Sequence, residues 1–298
     1  MSKVMPYVAT LIAAPKARLA ENNLKEAIEA MGLQQVDVSW LAENSAADLT
    51  FTPQDPESAL KRLSAFLQDK QIDFIFQPKK TRKKKLLIAD MDSTMIVEEC
   101  LDELARFKGL EQEISHITAS AMSGEISFEA ALKERVALLA GVTQEEIRQL
   151  IDRLTLMPGA RVLVRTMRFH GAYTALISGG FEPFIASIAT RLGFDETRAN
   201  RLLMKDNRIL GQLAYPVLGR HEKRRALEEI RHARQIPQEL TLAVGDGAND
   251  LDMLQGAGLG VAYHAKPIVA LAAHARIDHA DLTALLFAQG YRQDEFRQ

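Results

Sequence analysis

From Leu86 onward, short apolar runs alternate with helical stretches, and this alternation constrains the fold more than any other feature of the sequence. The apolar runs are Leu86–Asp90, Ala172–Ser178, Leu240–Asp246 and Leu259–Ala262. The helical stretches between them include Arg161–Phe169, Pro183–Arg191 and Glu222–Ala233. Such alternation is typical of a parallel sheet that helices cover on both faces. The sequence therefore predicts an α/β fold with a Rossmann-like core.

One long stretch of this region contains helical patterns only. Between about residues 97 and 155 the candidate helices are Val97–Phe107, Glu111–Met122, Phe128–Leu139 and Gln144–Leu154. We interpret this block as a small helical cap inserted after the first strand of the sheet. A β-hairpin is predicted further along, with Arg201–Lys205 and Arg208–Leu213 flanking the turn Asp206–Asn207.

Residues 1–80 have a different pattern and predict a unit of their own. Strand-like runs are Val4–Ala13, Gln35–Leu41, Ala47–Phe51 and Ile72–Phe76; helical spacing follows in Leu19–Met31 and after Thr52–Pro53. The order βαββαβ is that of a ferredoxin-like α+β sandwich. We therefore predict two domains, residues 1–80 and residues 81–298.

A basic stretch, Lys79–Lys85, joins the two predicted domains. It is interpreted as a solvated connection rather than as a patch for an anionic ligand, because blocks of like charge commonly mark exposed segments. On that interpretation, a fragment that starts near Lys79 folds alone and keeps the chemistry of the larger domain.

Composition excludes several classes of protein. The 298 residues include 47% hydrophobic and 26% charged residues, a balance typical of soluble globular proteins. A formal net charge of -2 predicts no general attraction to nucleic acid or to an anionic membrane. Cys100 is the only cysteine, which excludes an intramolecular disulfide. With no signal-peptide pattern and no apolar run long enough to cross a bilayer, we expect a cytoplasmic protein.

Three of the predicted strands end in polar residues that can do chemistry. Asp90 and Asp92 follow the first strand, the sequence Ser178-Gly179-Gly180 ends the second, and a glycine-rich turn with Asp246 and Asp250 follows the third. In an open parallel sheet, ligands bind outside the carboxyl ends of the strands. Each group alone is more often a helix cap or a turn. Together, at successive strand ends, they predict one site whose carboxylates suit Mg²⁺ and a phosphate group.

The strings DMDST (90–94), SGGF (178–181) and GDGAND (245–250) resemble those of the haloacid dehalogenase-like phosphatases. Within them, the chain from about Leu86 to Leu285 is most similar to the bacterial phosphoserine phosphatases. The resemblance implies a Mg²⁺-dependent phosphomonoesterase that hydrolyses O-phosphoserine, the last step of serine biosynthesis. Residues 1–80 resemble, more weakly, the ACT-like regulatory module that some of these enzymes carry.

The resemblance implies the following roles for the carboxylates. Asp90 is the nucleophile that takes the phosphoryl group, and Asp92 is the general acid and base. Asp90 and Asp246 bind Mg²⁺ through their side chains, and Asp92 binds it through its backbone carbonyl. Asp250 orients a water molecule on the metal.

Further residues bind the substrate according to the same resemblance. Ser178 and the N–H group of Gly179 hold phosphate oxygens, Lys223 neutralises the phosphoryl charge, and Asn249 orients the phosphate. The neighbouring Arg224–Arg225 could align in place of Lys223, so the register of this helix stays open.

Glu99 and Arg135 are the expected determinants of specificity. The resemblance assigns the substrate ammonium group to Glu99 and its carboxylate to Arg135. A glutamate near a phosphate site would repel the ligand unless the ligand also carried a cation, so the pair suits a zwitterion.

Other readings remain open at this stage. A related enzyme of the same fold could act on another phosphorylated amino acid, or could pass the phosphoryl group to an alcohol. A regulatory module fused to a degenerate phosphatase is the alternative outside enzymes. The sequence also leaves open whether the chain forms a homodimer and whether residues 1–80 bind an amino acid.

Overall fold

The computed structural model describes residues 5–122 and 125–298. The first elements are β1 (Tyr7–Ala13), α1 (Glu21–Met31), β2 (Val36–Ala42), β3 (Ala46–Phe51), α2 (Pro56–Leu67) and β4 (Ile72–Pro78). The strands form an antiparallel sheet in the order β2–β3–β1–β4, which confirms the predicted ferredoxin-like arrangement. The predicted start of the first strand, Val4, lies outside the described residues. Helix α2 begins later than predicted, because Asp55 caps it by accepting hydrogen bonds from the backbone of residues 57–58.

The next strand leads directly into the helical block. After β5 (Leu86–Ala89), the chain forms α3 (Cys100–Lys108), α4 (Glu111–Met122), α5 (Phe128–Leu138) and α6 (Gln144–Arg153). The segment that leads from the sheet into these helices runs beside the segment that returns from them. The Val97 N–H donates to Thr155 O at 3.0 Å, and the Met157 N–H donates to Met95 O at 2.9 Å. The expected cap inserted after the first strand of the sheet is therefore present.

The remaining chain completes the sheet. Its strands are β6 (Tyr173–Phe181), β7 (Glu196–Asn200), β8 (Leu202–Lys205), β9 (Arg208–Leu213), β10 (Thr241–Gly245), β11 (Leu259–Tyr263) and β12 (Ala275–Ile277). Its helices are α7 (Ala160–Phe169), α8 (Glu182–Leu192), α9 (Arg220–Ala233), α10 (Leu251–Gly256), α11 (Pro267–Ala272) and α12 (Ala284–Ala288). The parallel sheet has the order β12–β11–β10–β5–β6–β7, and β8 with β9 forms the predicted hairpin.

Strand β5 lies between β10 and β6 and is buried on both faces. Leu87 packs in the core that contains residues of α7 and α8, whereas Leu86 and Ile88 pack in the second core, against residues of α9 and α10. A strand covered on both faces must be apolar at every position, which is the pattern seen in the sequence. The first polar residue after it, Asp90, therefore lies at the carboxyl edge of the sheet.

The hairpin β8–β9 reaches the cap and pairs with the loop between α5 and α6. The Gly141 N–H donates to Ile209 O and the Ile209 N–H donates to Val142 O, both at 2.8 Å. The Gln144 N–H donates to Asn207 O at 2.9 Å. The cap is thus supported by a short backbone ladder in addition to its two covalent connections.

The N-terminal sheet is attached to the rest of the chain by a buried polar contact, which we call the N-terminal seam. The Arg82 guanidinium donates to the Asp48 carboxylate at 2.6 and 2.9 Å, and to the carbonyls of residues 287–288 at 3.1 Å. The Asp73 carboxylate accepts three backbone N–H groups, from residues 278–280, at 2.7 to 3.0 Å. Arg82, Asp48 and Asp73 are each less than 10% exposed.

Two features differ from the expectations. The interpretation of Lys79–Lys85 as a solvated connection is wrong for Arg82 and Lys84, which are buried. Arg82 donates to Asp48, and Lys84 donates to Glu239 O at 2.9 Å. Strands β7 and β12 had no counterpart in the sequence analysis, because their sequences ETRAN and ARI contain no apolar run. Within the described residues, no helix is both long enough and apolar enough to cross a membrane.

Candidate active site

The three polar strand ends meet at one edge of the sheet. Strand β5 is hydrogen-bonded to β6 on one side and to β10 on the other, so their carboxyl ends are neighbours. This arrangement brings Asp90, Ser178 and Asp246 to the same edge, and we call the space outside this edge the cleft. Helix α3 of the cap begins beside it, since the N–H of Cys100 donates to Asp92 at 2.8 Å. The spacing in sequence between Asp90, Ser178 and Asp246 is large, and only the strand order makes them adjacent.

Asp90 is held rigidly and is 5% exposed. Its backbone N–H donates to Val244 O at 3.0 Å, which continues the pairing of β5 with β10 by one residue. One carboxylate oxygen accepts the N–H of Met91 at 2.7 Å, and the other lies 2.7 Å from the Lys223 ammonium. The two contacts hold both carboxylate oxygens and so fix the orientation of the group.

Lys223 is fully buried and bridges two carboxylates. Its Nζ lies 2.7 Å from Asp90 Oδ2 and 2.7 Å from Asp250 Oδ1. Burial alone would lower the pKa of Lys223, but the charges of Asp250 and Asp90 outweigh burial, so the pKa is raised and the ammonium stays charged. The neighbouring arginines of α9 point elsewhere, to glutamates one turn along the helix. The structure thus places Lys223, and not Arg224–Arg225, beside Asp90.

Asp250 is fixed by the turn that follows β10. Its second oxygen accepts the N–H of Gly247 at 3.0 Å. A Cβ atom added at Gly245 would lie 2.5 Å from Asp250 Oδ2, so only glycine allows this close approach. The glycines of this turn therefore set the position of a buried carboxylate.

Asp90, Asp246 and Asp250 form a cluster of three carboxylates. One oxygen from each lies within 4.8 Å of the others. Burial, and then the charge of Asp250, raises the pKa of Asp246 to about 6 and that of Asp90 well above its usual range, although Lys223 opposes both shifts. The Thr94 hydroxyl donates to Asp246 at 2.8 Å. Three carboxylates that share the one ammonium bound to Asp90 and Asp250 keep a surplus of negative charge. Their hard oxygen donors fit a divalent cation, which would relieve the mutual repulsion.

Asp92 belongs to a second hydrogen-bonded group beside this cluster. Its Oδ1 accepts the backbone N–H of Cys100 at 2.8 Å, and its Oδ2 accepts the Ser178 hydroxyl at 3.1 Å. The Ser178 oxygen in turn accepts the N–H of Gly180 at 2.8 Å. The Asp92 side chain is thus oriented separately from the three clustered carboxylates, as a proton donor or acceptor should be.

Glu99 is the residue before α3 and Arg135 lies in α5, so both belong to the cap; we call this pair of residues the cleft mouth. Glu99 Oε1 accepts the Ser93 hydroxyl at 2.7 Å. Burial, and then the charge of Asp92, raises the pKa of Glu99 to about 7 against the effect of that hydrogen bond. The residue as a whole is nevertheless exposed to solvent, which limits this shift. Burial lowers the pKa of the half-buried Arg135, and the charges of Asp102 and Glu99 offset part of this.

The guanidinium of Arg135 has a free charge. Across residues 5–122 and 125–298, no carboxylate oxygen lies within 4.0 Å of it; its Nε donates only a long hydrogen bond, 3.4 Å, to Ala131 O in its own helix. A half-buried arginine without an anionic partner is ready to bind a carboxylate from a ligand.

Asn249 and Thr94 also belong to the site. Asn249 lies half-buried in the turn between β10 and α10, beside the carboxylate cluster. Thr94, which had no predicted role, is fully buried and orients Asp246. Its place in the string DMDST was the available signal, since a hydroxyl four residues after a strand-end aspartate can reach the same edge of the sheet.

A buried strand-end aspartate, a lysine bound to it, a carboxylate cluster and a cap inserted after the first strand define a hydrolase of one family. The model of the haloacid dehalogenase-like hydrolases matches residues 87–255, and the chain belongs to this family.

Relatives of this chain are phosphoserine phosphatases. That of Methanocaldococcus jannaschii is 40% identical over 205 residues, which are 69% of this chain and 97% of the relative. That of Streptomyces coelicolor is 40% identical over 214 residues, 72% of this chain but 52% of the relative, so the chain spans about half the length of this protein. Among solved structures, a family hydrolase of Salmonella enterica serovar Typhi superposes with a TM-score of 0.85 at 30% identity, over 97% of this chain and 99% of that one.

Proposed function

We propose that this protein hydrolyses O-phosphoserine to serine and phosphate through an aspartyl-phosphate on Asp90, with Mg²⁺ as cofactor, as the last step of serine biosynthesis. The observation that carries the reaction class is the Asp90–Lys223–Asp250 arrangement at the end of β5, where a buried carboxylate faces a cleft beside a fixed ammonium. The similarity to phosphoserine phosphatases, at 40% identity over most of the domain, supports the substrate.

Each residue has a part in the proposed reaction. An oxygen of Asp90 forms a bond to phosphorus while the bond from phosphorus to the serine oxygen breaks, and Asp92 gives its proton to that oxygen. Water then attacks the phosphorus of the aspartyl-phosphate while Asp92 takes a proton from the water. The bond from phosphorus to the Asp90 oxygen breaks in the same step, which frees the carboxylate and releases inorganic phosphate. Asp90, Asp246 and the Asp92 carbonyl would hold Mg²⁺, which supplies positive charge to the phosphoryl oxygens when bound.

The surrounding residues supply charge and orientation. Lys223, the Ser178 hydroxyl and the Gly179 N–H neutralise and hold the phosphoryl oxygens, and Asn249 orients the group. Catalysis of phosphoryl transfer depends mainly on such positioning, because little other covalent chemistry is required.

Substrate choice is assigned to Glu99 and Arg135. The glutamate binds the ammonium group and the arginine binds the carboxylate of phosphoserine. The half-buried guanidinium of Arg135, which has no anionic partner within 4.0 Å among residues 5–122 and 125–298, supports this assignment.

The organisation of the chain enters this proposal as well. We assign residues 1–80 to an ACT-like unit and residues 81–298 to the phosphatase domain, with the cap at about residues 97–155. An amino acid bound by the first unit, a homodimer and a cytoplasmic location complete the proposal for a biosynthetic enzyme.

Release of inorganic phosphate tests the proposed function. After exhaustive chelation we expect no turnover of O-phosphoserine, and we expect Mg²⁺ to restore it. Ca²⁺ should inhibit, because it prefers more ligands and longer bonds than Mg²⁺. A panel of phosphothreonine, phosphoethanolamine and p-nitrophenyl phosphate, with and without added alcohols, tests the substrate and detects phosphotransfer.

Asp90→Asn is the matched control, because the amide has the same shape but cannot attack phosphorus. We expect it to lose at least about a hundredfold in kcat while the protein stays folded. A variant that keeps more than about a hundredth of the activity would show that Asp90 is not the nucleophile. Full activity without any divalent cation would contradict the metal site.

A further inference from the structure

Asn200, at the end of β7, joins two elements of the candidate active site that are far apart in sequence. It is 1% exposed, and its side chain makes three hydrogen bonds to backbone groups. Its Nδ2 donates to Gly179 O at 2.8 Å and to Leu218 O at 3.3 Å, and its Oδ1 accepts the N–H of Leu218 at 2.6 Å. All hydrogen-bonding groups of this amide are thus engaged with the main chain.

The first of these bonds fixes the peptide between Gly179 and Gly180. The carbonyl of this peptide is held by Asn200, and its N–H donates to the Ser178 hydroxyl oxygen at 2.8 Å. Because both flanking residues are glycines, sterics alone do not prevent this peptide from rotating. A rotated peptide would aim its carbonyl at Ser178 and would draw the hydroxyl away from Asp92.

The other two bonds fix the start of α9. Leu218 precedes Gly219, which caps the helix, and the Lys223 N–H donates to Gly219 O at 3.1 Å in the first turn. By holding both the N–H and the carbonyl of Leu218, Asn200 sets where this helix begins. The position of the Lys223 ammonium follows, because the side chain is fully buried and projects from the first turn.

We propose that Asn200 is a positioning residue for phosphoryl transfer, which locks the Gly179–Gly180 peptide and the start of the Lys223 helix in one arrangement. Ser178 lies in β6 and Lys223 lies in α9. In the proposed reaction both must contact oxygens of the same phosphoryl group. The Asn200 side chain contacts both supporting segments. The proposal rests on the phosphate-binding roles proposed above.

Only an amide at this position meets the requirement. The site presents two carbonyl acceptors and one N–H donor, so it needs two donated hydrogens and one acceptor oxygen. An aspartate would place an oxygen against both carbonyls and would lose both donated bonds. The substitution Asn200→Asp therefore keeps the shape of the side chain and removes the proposed function.

The test compares Asn200→Asp and the smaller Asn200→Ser with Val164→Ala, a cavity-forming change in α7 at a fully buried position away from the cleft. We measure kcat and KM for O-phosphoserine and for p-nitrophenyl phosphate, and the binding of inorganic phosphate by calorimetry. We expect both Asn200 variants to lose about tenfold or more in kcat/KM on both substrates, and phosphate binding to weaken as well. Val164→Ala should lose stability without these losses.

The outcomes separate positioning from a structural role. Kinetic constants and phosphate affinity within about twofold of wild type in both variants would overturn the proposal. Loss on O-phosphoserine alone would also overturn it, since Asn200 should act on the group common to both substrates. Unfolding of both variants where Val164→Ala stays folded would indicate a structural role only. Phosphate binding requires no turnover, so failure of the proposed phosphatase reaction is distinguishable from failure of this proposal.

Discussion

The N-terminal seam and the cleft mouth are both places where one part of the chain meets another, and their polar groups are treated in opposite ways. In the seam, Arg82 has four acceptor groups and Asp73 has three donors, and both residues are less than 10% exposed. At the cleft mouth, Arg135 has no anionic partner within the described residues, and Glu99 is partly open to solvent. Buried polar groups with all their partners hold a structure together, whereas a half-buried arginine without an anionic partner and an exposed glutamate are available to a ligand.

Apolar contacts reinforce the seam. Ile12 and Ile75 of the N-terminal sheet belong to the same buried core as Leu285 of α12. Gln77 donates to the carbonyl of Ala288 at 2.8 Å, although its own carbonyl oxygen has no partner among the described groups. The face of the N-terminal sheet that carries these residues is therefore part of the core and is closed to an effector. Any amino acid bound by this unit would have to bind elsewhere on it.

Among the changes that distinguish the seam from the cleft mouth, we expect Arg82→Met to have the largest effect, a loss in the free energy of unfolding. Loss of the guanidinium leaves the Asp48 carboxylate buried without its cation, which costs about 3–5 kcal/mol. We expect chemical denaturation to show a loss of this size in the free energy of unfolding. The activity of the folded fraction should stay within about twofold of wild type, because the seam does not contact the cleft.

The double variant Arg82→Met/Asp48→Asn is the control for this prediction. It removes the stranded charge and should recover much of the lost stability. A single variant as stable as wild type would mean that water enters the seam and solvates Asp48. The same comparison bears on the fragment that starts near Lys79: it would expose the apolar face that β1 and β4 cover, so the seam argues against its independent folding.

The seam also shows what the sequence could not reveal. In Lys79–Lys85 the residues at 82 and 84 are buried and those at 83 and 85 are exposed, an alternation of period two leading into β5. All four residues are basic, so the sequence shows no alternation of apolar and polar residues that would predict which of them are buried. The partners of Arg82 lie 34 to 206 residues away, and their positions follow only from the fold. Long-range partners of buried charges are not encoded in local pattern.

The cleft was far more accessible to prediction. Asp90 and Asp246 each end an apolar run, and the rule that ligands bind at the carboxyl ends of parallel strands places them together. The structure brings both to one cluster with Asp250. Asn200 could not be found in this way, because it lies on a strand without an apolar run and acts on backbone groups. Residues that position other residues are harder to recognise in the sequence than polar residues at strand ends.

A smaller effect, confined to the other region, is expected from Arg135→Ala. If Arg135 binds the substrate carboxylate, the variant should lose about tenfold or more in kcat/KM for O-phosphoserine, the scale of a charge-assisted hydrogen bond of about 1.5–3 kcal/mol. Hydrolysis of p-nitrophenyl phosphate should scarcely change, since this substrate has no carboxylate. The free energy of unfolding should also change little, in contrast to that of Arg82→Met.

Phosphoethanolamine sharpens this result, because it keeps the ammonium group and lacks the carboxylate. Arg135→Ala should leave its hydrolysis unchanged, whereas Glu99→Gln should reduce it. Equal losses of the Arg135 variant on every substrate would assign the residue to closure of the cap or to folding, and the substrate would then have to be sought again.

The smallest and most selective effect should be that of Glu99→Gln on kcat/KM, and this effect should depend on pH. Burial, followed by the charge of Asp92, raises the pKa of Glu99 to about 7, so the side chain is neutral below this pH and ionised above it. Only the ionised form attracts an ammonium group. The ratio of kcat/KM for O-phosphoserine, wild type over Glu99→Gln, should therefore be several-fold above about pH 8 and should fall towards one below about pH 6. Titration of the substrate phosphate affects both enzymes equally and cancels in the ratio.

A cation bound near Asp92 would lower the pH at which the ratio changes but would not reverse the change. A ratio that is constant, or that rises as the pH falls, would show that Glu99 does not hold the ammonium group.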